Sequence, residues 1–294
     1  MLQATPPRSA VHPSPLVAVG ALALGAALLS SCRGGGAATE AAPAASVSAA
    51  ATSARPVEWG YTGERGPAHW AELSPVYSAC VQNAQSPIDV LQSAETGSEW
   101  RADYRQTGLK IAHHEHVTDI LDNGHTIQVT VDEGSTLTTA RDSYALKQFH
   151  FHTPSEHAVD GKSFPMEVHF VHQSASGKFA VLSALFEEGA ENANLATLIA
   201  NFPQAKGETK VDPQVRLELA LQLPQDTSAH SYLGSFTTPP CTEDVEWLIL
   251  RKPVAASREQ LDAFAARLNH NNRPLQPLHQ RAIVQGNLRG SFKD

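Results

Sequence analysis

The chain has 294 residues, of which 22 are Lys or Arg and 30 are Asp or Glu, so its formal net charge is −8. An acidic chain without a basic cluster argues against nucleic acid as a partner. The length is sufficient for one domain with a large apolar core, even after a leader and a linker are removed.

Residues 1–31 have the pattern of an export signal. Arg8 supplies positive charge, and the apolar run from Leu16 to Leu29 that follows is shorter than a typical membrane-spanning helix. The segment Leu29–Cys32 resembles a bacterial lipobox, in which the cysteine is lipidated and becomes the mature N-terminus. An ordinary cleaved signal and an uncleaved anchor are the alternatives. We expect export to the periplasmic side, with membrane contact only through a lipid anchor. Arg33 gives no inner-membrane retention signal, which favours the outer membrane.

Residues 32–56 predict a flexible tether, because a segment rich in Ala, Gly and Ser cannot bury a core. The aromatic residues Trp59, Tyr61 and Trp70 mark the start of the folded domain, which we place at 57–294.

The chain has three cysteines. Assigning Cys32 to lipid leaves Cys80 and Cys241, and the oxidising compartment reached by an exported protein allows that pair to form a disulfide.

The folded part is predicted to be mainly β (α+β), with many short strands broken by turn residues and with few helices. The predicted strands are Leu109–Ala112, Val117–Leu121, Thr126–Val131, Thr136–Thr139, Tyr144–His152, Met166–His172, Phe179–Phe186 and Val245–Leu250. A short helix is predicted over Asn194–Asn201. Ser257 and Gln260 fit a capping box that opens a second helix, to about Leu268, with Leu261, Phe264, Ala265 and Leu268 on one face.

Two histidine-rich segments alternate as strands do. In Gln148–His152, His150 and His152 share one face, and Phe149 and Phe151 share the other. In Glu167–His172 the alternation places Glu167, His169 and Val171 on one face and Val168, Phe170 and His172 on the opposite face.

If these two strands are neighbours, the imidazoles of His150, His152 and His169 converge. Three neutral imidazoles suit a tetrahedral Zn²⁺ whose fourth position is open, as in catalytic zinc sites. The alternative is two strands that carry surface histidines, but an HxH pair with a third histidine on a nearby strand is uncommon. His172 points the other way, and we interpret it as structural.

The chain resembles an alpha-class carbonic anhydrase of bacterial type from Trp59 to about Arg281. The matching motifs occur in the family's order: Trp59-Gly60-Tyr61, Gln85-Ser86-Pro87-Ile88-Asp89, Asn123-Gly124-His125, Gln148–His152, Ser155-Glu156-His157, Glu167–His172, Gly234–Pro240 and Asn272-Arg273-Pro274. The resemblance implies a large twisted, mostly antiparallel central sheet of about ten strands with a few peripheral helices. It also implies a disulfide between Cys80 and Cys241.

The resemblance implies a zinc enzyme that hydrates CO2 reversibly to bicarbonate and a proton. His150, His152 and His169 match the zinc ligands, and zinc-bound hydroxide attacks CO2. Hydrogen-bond partners that orient ligand imidazoles are expected at metal sites. Gln148 matches the partner of His150, Glu167 that of His169, and the backbone carbonyl of Asn272 that of His152.

Other matches imply catalytic roles. Thr237 matches a threonine that accepts a hydrogen bond from the hydroxide and donates one to Glu156, since a carboxylate only accepts. His125 matches the proton shuttle, whose ordinary pKa suits transfer near neutral pH. Tyr61 matches a residue that orders the water path.

An apolar substrate such as CO2 needs an apolar pocket. The residues that match the substrate site are Val171, Val181, Phe236, Thr237, Thr238, Val245 and Trp247. Phe236 replaces the leucine common in relatives, which narrows the pocket. The resemblance also implies binding of sulfonamide and anion inhibitors.

Three alternative functions fit part of the sequence: a non-catalytic carbonic-anhydrase-like binding domain, a metal-handling lipoprotein and a zinc esterase. Relatives without catalysis typically lack a ligand histidine, whereas this chain has all three together with Glu156 and Thr237. Metal storage explains neither Thr237 nor the apolar pocket, and ester hydrolysis is expected only as a weak side activity. The sequence is compatible with a homodimer as well as with a monomer.

Overall fold

The structure is a computed structural model. It describes residues 57–91, 110–112, 117–131, 134–212, 215, 217, 223–224 and 226–288. The predicted signal at 1–31, the tether at 32–56 and the lipidation site Cys32 lie outside these residues. No helix in the described ranges is both long and apolar enough to cross a membrane.

The described residues form fourteen strands. They are β1 (Asp89–Val90), β2 (Lys110–Ala112), β3 (Val117–Asp122), β4 (Ile127–Val131), β5 (Thr136–Thr138), β6 (Ser143–His152), β7 (Ala158–Val159), β8 (Met166–Ser174), β9 (Phe179–Glu188), β10 (Thr209–Lys210), β11 (Ser228–Ser235), β12 (Glu243–Leu250), β13 (Val254–Ala256) and β14 (Val284–Asn287). All eight predicted strands are confirmed, each to within two residues at either end.

Twelve of these strands form one large sheet, and β1 pairs with β7 in a separate small one. The main path of the large sheet is β10-β3-β4-β6-β8-β9-β12-β11-β14, with β2, β5 and β13 attached to it. Among its described pairs, only β9 with β12 and β9 with β13 are parallel. The predicted large, mostly antiparallel sheet is therefore confirmed, with two strands more than expected.

The strand that sequence reasoning missed most clearly is β11. It carries small or polar residues such as Ser231 at buried positions, and these hide the alternation. The strands β10, β13 and β14 are only two to four residues long, too short to show a period.

The large sheet separates two apolar clusters, because successive residues of a strand face opposite sides. Phe149, Phe151 and Phe170 belong to one cluster. Val171, the residue after Phe170, belongs to the other, together with Val181 and Trp247. The second face carries the histidines discussed below.

Three α-helices lie in the described ranges: α1 (Trp70–Leu73), α2 (Ala193–Ala200) and α3 (Arg258–Leu268). The predicted capping box of α3 is present, with Ser257 and Gln260 bonded reciprocally. Leu261, Phe264 and Leu268 are buried as expected. The prediction for Ala265 was wrong: it is exposed, because the buried stripe follows the spacing 261, 264, 268 and passes to one side of it.

Candidate metal centre

Three imidazoles meet where β6 and β8 pair. His150 stands directly opposite His169 in the antiparallel register, and His152 is opposite Glu167. One ring nitrogen from each of His150, His152 and His169 lies within 4.8 Å of the other two. The strands therefore bring the three predicted ligands together.

Hydrogen bonds fix which nitrogen of each ring is free. Gln148 Oε1 lies 2.8 Å from His150 Nδ1, and Glu167 Oε1 lies 2.8 Å from His169 Nε2. Both oxygens accept, so these nitrogens carry the protons. His150 Nε2 and His169 Nδ1 are left as the lone-pair atoms. The contacts expected for Gln148 and Glu167 are present.

The partner of His152 differs from the prediction. The carbonyl oxygen of Asn271, not that of Asn272, lies 2.7 Å from His152 Nδ1. Asn271 is 1% exposed, and its side chain bonds the backbone on both sides of His152: it accepts from Thr153 N and donates to Phe151 O, each at 2.9 Å. This anchoring turns the Asn271 carbonyl toward the ring. Because Asn271 and Asn272 are adjacent and identical, the sequence gives no signal for which of the two carbonyls contacts His152.

The three rings are neutral. Burial and the neighbouring imidazoles hold the pKa of His150 well below its usual range, and burial lowers the pKa of His152 to about 4. Burial also lowers the pKa of His169. Neutral imidazole is the form that binds a metal.

The buried nitrogen His152 Nε2 indicates whether these residues suit a metal ion. It has no hydrogen-bond partner in the described part of the chain. A buried polar atom without a partner is costly. Coordination of a cation removes that cost, and three imidazole nitrogens suit Zn²⁺. The residues present therefore fit the metal that the sequence predicted.

Glu167 is the centre of a buried hydrogen-bond network that sequence reasoning largely missed. Beyond His169, it accepts from His157 Nδ1 at 2.7 Å and from Ser183 Oγ at 2.5 Å. Burial alone would raise its pKa, but His157 and His169 outweigh burial and hold the pKa well below its usual range. His157 Nε2 lies 2.7 Å from the Tyr232 hydroxyl. His157 appeared in the motif with Glu156, but alternation along a strand could not assign it a partner.

Glu156 lies beside the centre. Its Oε1 accepts from the backbone N–H of Arg273 at 2.7 Å and is 3.6 Å from His152 Nδ1. Burial raises the pKa of Glu156 to about 7, while His169 and the Thr237 hydroxyl oppose that rise. Thr237 is thus near Glu156, as expected, although Glu156 Oε2 has no hydrogen bond of standard geometry among the described residues.

A cavity of about 390 Å³ borders two of the three predicted ligands, His150 and His169. It is lined by Lys147, Gln148, His150, His169, Val171, Gln173, Phe179, Val181, Phe236, Thr237, Thr238 and Trp247. Six of the seven predicted substrate-site residues are among them. Val245 is not: it is 1% exposed and lies behind this wall in the apolar cluster. Lys147, Gln173 and Phe179 were not predicted, because no motif includes them.

His125 is placed apart from this cavity. Its ring stacks on Trp59 with centroids 3.9 Å apart, and Tyr61 is an edge-on neighbour at 6.4 Å. It lines a second cavity of about 280 Å³ together with Lys206 and Arg267. Desolvation and then the charge of Lys206 lower the pKa of His125. Burial, with a smaller effect of Glu156, holds the pKa of Tyr61 well above its usual range.

The predicted disulfide between Cys80 and Cys241 is present, and it closes a separation of 161 residues. It borders the segment that carries Thr237, because Cys241 N donates to Thr238 O at 2.8 Å. By loop-closure entropy such a crosslink is worth about 5 kcal/mol. The crosslink therefore anchors one wall of the cavity.

This chain is similar to known carbonic anhydrases. The sequence model of the family described as eukaryotic-type carbonic anhydrase matches residues 65–287. A carbonic anhydrase of Pectobacterium atrosepticum is 41% identical over 238 residues, which cover 80% of this chain and 93% of that protein.

Solved structures agree. The alpha-carbonic anhydrase of Thermovibrio ammonificans, solved with the inhibitor sulfanilamide, is 38% identical with a TM-score of 0.72, covering 77% of this chain and 98% of that one. The alpha-carbonic anhydrase of Photobacterium profundum is 40% identical with a TM-score of 0.69, covering 77% and 99%. This chain therefore belongs to the eukaryotic-type, or alpha, carbonic anhydrase family, and it catalyses the reversible hydration of CO2.

Proposed function

We propose that CO2 is hydrated in the cavity between β6 and Thr237, with zinc held by His150 Nε2, His152 Nε2 and His169 Nδ1. The observation that supports this proposal is that the other nitrogen of each ring, which would not bind zinc, is hydrogen-bonded to a protein oxygen at 2.7–2.8 Å. It leaves the remaining nitrogen of each ring free, and one nitrogen from each of the three rings lies within 4.8 Å of the other two. When bound, zinc supplies the Lewis acidity that generates a hydroxide nucleophile near neutral pH.

The chain's own residues orient the reactants. In the proposed mechanism the Thr237 hydroxyl, which lies near Glu156, donates its hydrogen to that carboxylate, since an ionised carboxylate only accepts. Its oxygen lone pairs then face the cavity and accept from the nucleophile, which fixes the direction of attack. This role needs Glu156 ionised, although burial raises its pKa to about 7. A cation held by the adjacent histidines favours the ionised form.

CO2 carries no charge, so an apolar wall must hold it. Val171, Val181, Phe236 and Trp247 supply such a wall beside the metal-binding nitrogens. Phe236 packs edge-on against Phe179 with ring centroids 4.8 Å apart, which supports its position in the cavity. Thr238 and the backbone N–H of Thr237 are the groups we assign to bicarbonate and to sulfonamide inhibitors.

Turnover also requires a proton to leave, and we assign that transfer to His125. Its pKa is lowered from the ordinary histidine value, so the neutral, proton-accepting form dominates at neutral pH. Tyr61, near both Glu156 and His125, is the group we assign to ordering water between the cavity and this ring.

Stopped-flow CO2 hydration tests these assignments. The purified protein is assayed as isolated, after removal of metal with a chelator, and after one equivalent of Zn²⁺ is restored. We expect activity to disappear and return with zinc. Full activity in protein shown by elemental analysis to contain no metal would contradict the proposal.

We further propose that the enzyme is an exported lipoprotein attached through Cys32. The lipobox-like pattern supports this, and the Cys80–Cys241 disulfide is compatible with an oxidising compartment. In membrane fractionation, the wild type is expected with the membranes and Cys32→Ser in the soluble periplasmic fraction. Cys32→Ser leaves the Cys80–Cys241 disulfide intact, so we expect the domain to fold as in the wild type. Continued membrane association of a variant shown by mass spectrometry to lack residues 1–31 would exclude lipidation as the anchor.

A further inference from the structure

Strand β6 changes face at Lys147 and Gln148. Tyr144 and Leu146 are buried in the large apolar cluster, and so are Phe149 and Phe151. Strict alternation from Leu146 would bury Gln148 and turn Phe149 outward. The strand instead skips one step, so that two consecutive residues lie outside the core.

The pairing with β8 shows the cause. Leu146 is opposite His172 and Gln148 is opposite Val171, with a register shift between them, so Lys147 is an extra residue in the strand. A β-bulge of this kind re-aims a side chain and is frequent beside active sites. Here it places the exposed Lys147 at the lining of the same cavity as Gln148.

Lys147 is the one Lys, Arg, Asp or Glu among the described residues that line this cavity. Its ammonium group takes part in no ion pair of the described residues. The whole chain carries a formal charge of −8, so this site is a local positive exception. Charge at the mouth of a cleft raises the local concentration of the oppositely charged ligand.

We infer that Lys147 is an anion-selecting residue, which draws bicarbonate and other small anions into the metal cavity. This inference rests on the proposed function, because it uses the same cavity. The apolar wall contacts the neutral substrate, CO2. The bulge adds the ammonium group of Lys147, which attracts the charged product, bicarbonate. Lys147 does not touch the reacting atoms.

Thermodynamics restricts which measured quantity can show the effect of the Lys147 charge. The ratio of the two kcat/KM values, for hydration and for dehydration, is fixed by the equilibrium constant of the reaction. A single residue therefore cannot favour one direction. Its charge must appear in the dissociation constants of anions, and this is the readout that separates Lys147 from a residue that only maintains the fold.

The experiment measures binding of bicarbonate and of thiocyanate to zinc-loaded protein by displacement of a fluorescent sulfonamide, whose own dissociation constant is determined for each variant. Lys147→Gln is expected to raise both anion dissociation constants about two- to fivefold at low ionic strength. Lys147→Arg keeps the charge and is expected to match the wild type. Lys252→Gln removes an exposed charge from the turn after β12, outside the cavity lining, and is also expected to match.

Raising the ionic strength to about 200 mM with a salt whose anion does not itself displace the sulfonamide is expected to reduce the difference between Lys147→Gln and wild type, because the Debye length shortens. Equal anion dissociation constants for Lys147→Gln and wild type at low salt would overturn the inference. So would an equal loss in Lys147→Arg, which would mean that shape and not charge matters. If the zinc-loaded wild type hydrates CO2 but Lys147→Gln binds anions normally, only this inference fails. Absence of hydration in the wild type would instead refute the proposed function.

Discussion

The candidate metal centre, made of His150, His152 and His169, and the His125 corner, made of His125, Trp59 and Lys206, use histidine in opposite ways in the proposed mechanism. At the centre, every ring nitrogen that faces away from the cavity is hydrogen-bonded within 2.8 Å. At the corner, no hydrogen bond to the His125 ring nitrogens occurs among the described residues, and the ring is held by stacking on Trp59. A ligand must keep one tautomer and one orientation, whereas a shuttle must gain and lose a proton.

Their electrostatics differ accordingly. Burial dominates at the centre and lowers the pKa of His152 to about 4, so this ring stays neutral at any physiological pH. His125 is half-buried: desolvation is the largest cause that lowers its pKa, and charged residues at the surface adjust it further, since Lys206 lowers it and Glu58 raises it. Changes at the centre should therefore affect metal content, and changes at the corner should affect only the rate of proton removal.

The largest effect is expected for His152→Ala. Two imidazoles do not complete the tetrahedral ligand set, so the variant should lose zinc and with it essentially all CO2 hydration. Elemental analysis after dialysis and a stopped-flow assay measure the two losses. His69→Ala, an exposed histidine outside the centre, is the control and should retain both. One equivalent of zinc in His152→Ala would disprove its assignment as a ligand.

A smaller effect is expected for Gln148→Ala, which removes the acceptor of His150 Nδ1–H. Loss of such a partner typically costs about 10- to 100-fold in metal affinity. Competition with a chromogenic chelator measures this affinity. Gln173→Ala is a matched control, because Gln173 lines the same cavity without a described contact to a ligand histidine. Equal zinc affinity in the two variants would show that Gln148 does not support its ligand.

His125→Ala should leave zinc content unchanged and lower the maximal hydration rate in weak buffer by at least about tenfold, since proton transfer then lacks its acceptor. Affinity for CO2 should stay near normal, because His125 does not line the metal cavity. Added imidazole should restore part of the rate. An unchanged maximal rate in weak buffer would exclude His125 as the shuttle.

Much of the centre was predictable because a strand has a period of two. That period placed His150 and His152 on one face, and it placed Glu167 with His169. Asn271 could not be predicted in the same way, because its carbonyl reaches His152 from 119 residues away along the chain.

The bulge at Lys147 could not be predicted from the sequence, for a related reason. It preserves the alternation of Gln148–His152 and breaks it only relative to Tyr144 and Leu146. The motif therefore appeared regular, and the residue just outside it received no role. Local periodicity predicts faces, but long-range contacts and register shifts decide which residues those faces meet.

The smallest effect is expected for Lys206→Gln, which tests whether the corner is adjustable. Burial is the largest cause that lowers the pKa of His125, and the nearby ammonium of Lys206 lowers it further, because protonated His125 is a cation. Removing that charge should raise the pKa of His125 toward its ordinary value and shift the shuttle-limited rate profile to higher pH. Because Lys206 is exposed and screened, the maximal rate should change by less than about twofold.

An NMR titration of His125 in metal-free protein gives the pKa directly, without reference to turnover. Lys206→Arg, which keeps the positive charge, should titrate like the wild type, and Glu58→Gln should move the pKa of His125 in the opposite direction to Lys206→Gln. If all three variants titrate like the wild type, His125 is insulated from surface charge. The metal centre and the His125 corner would then differ in the hydrogen bonding of their rings and not in how surface charge affects their pKa values.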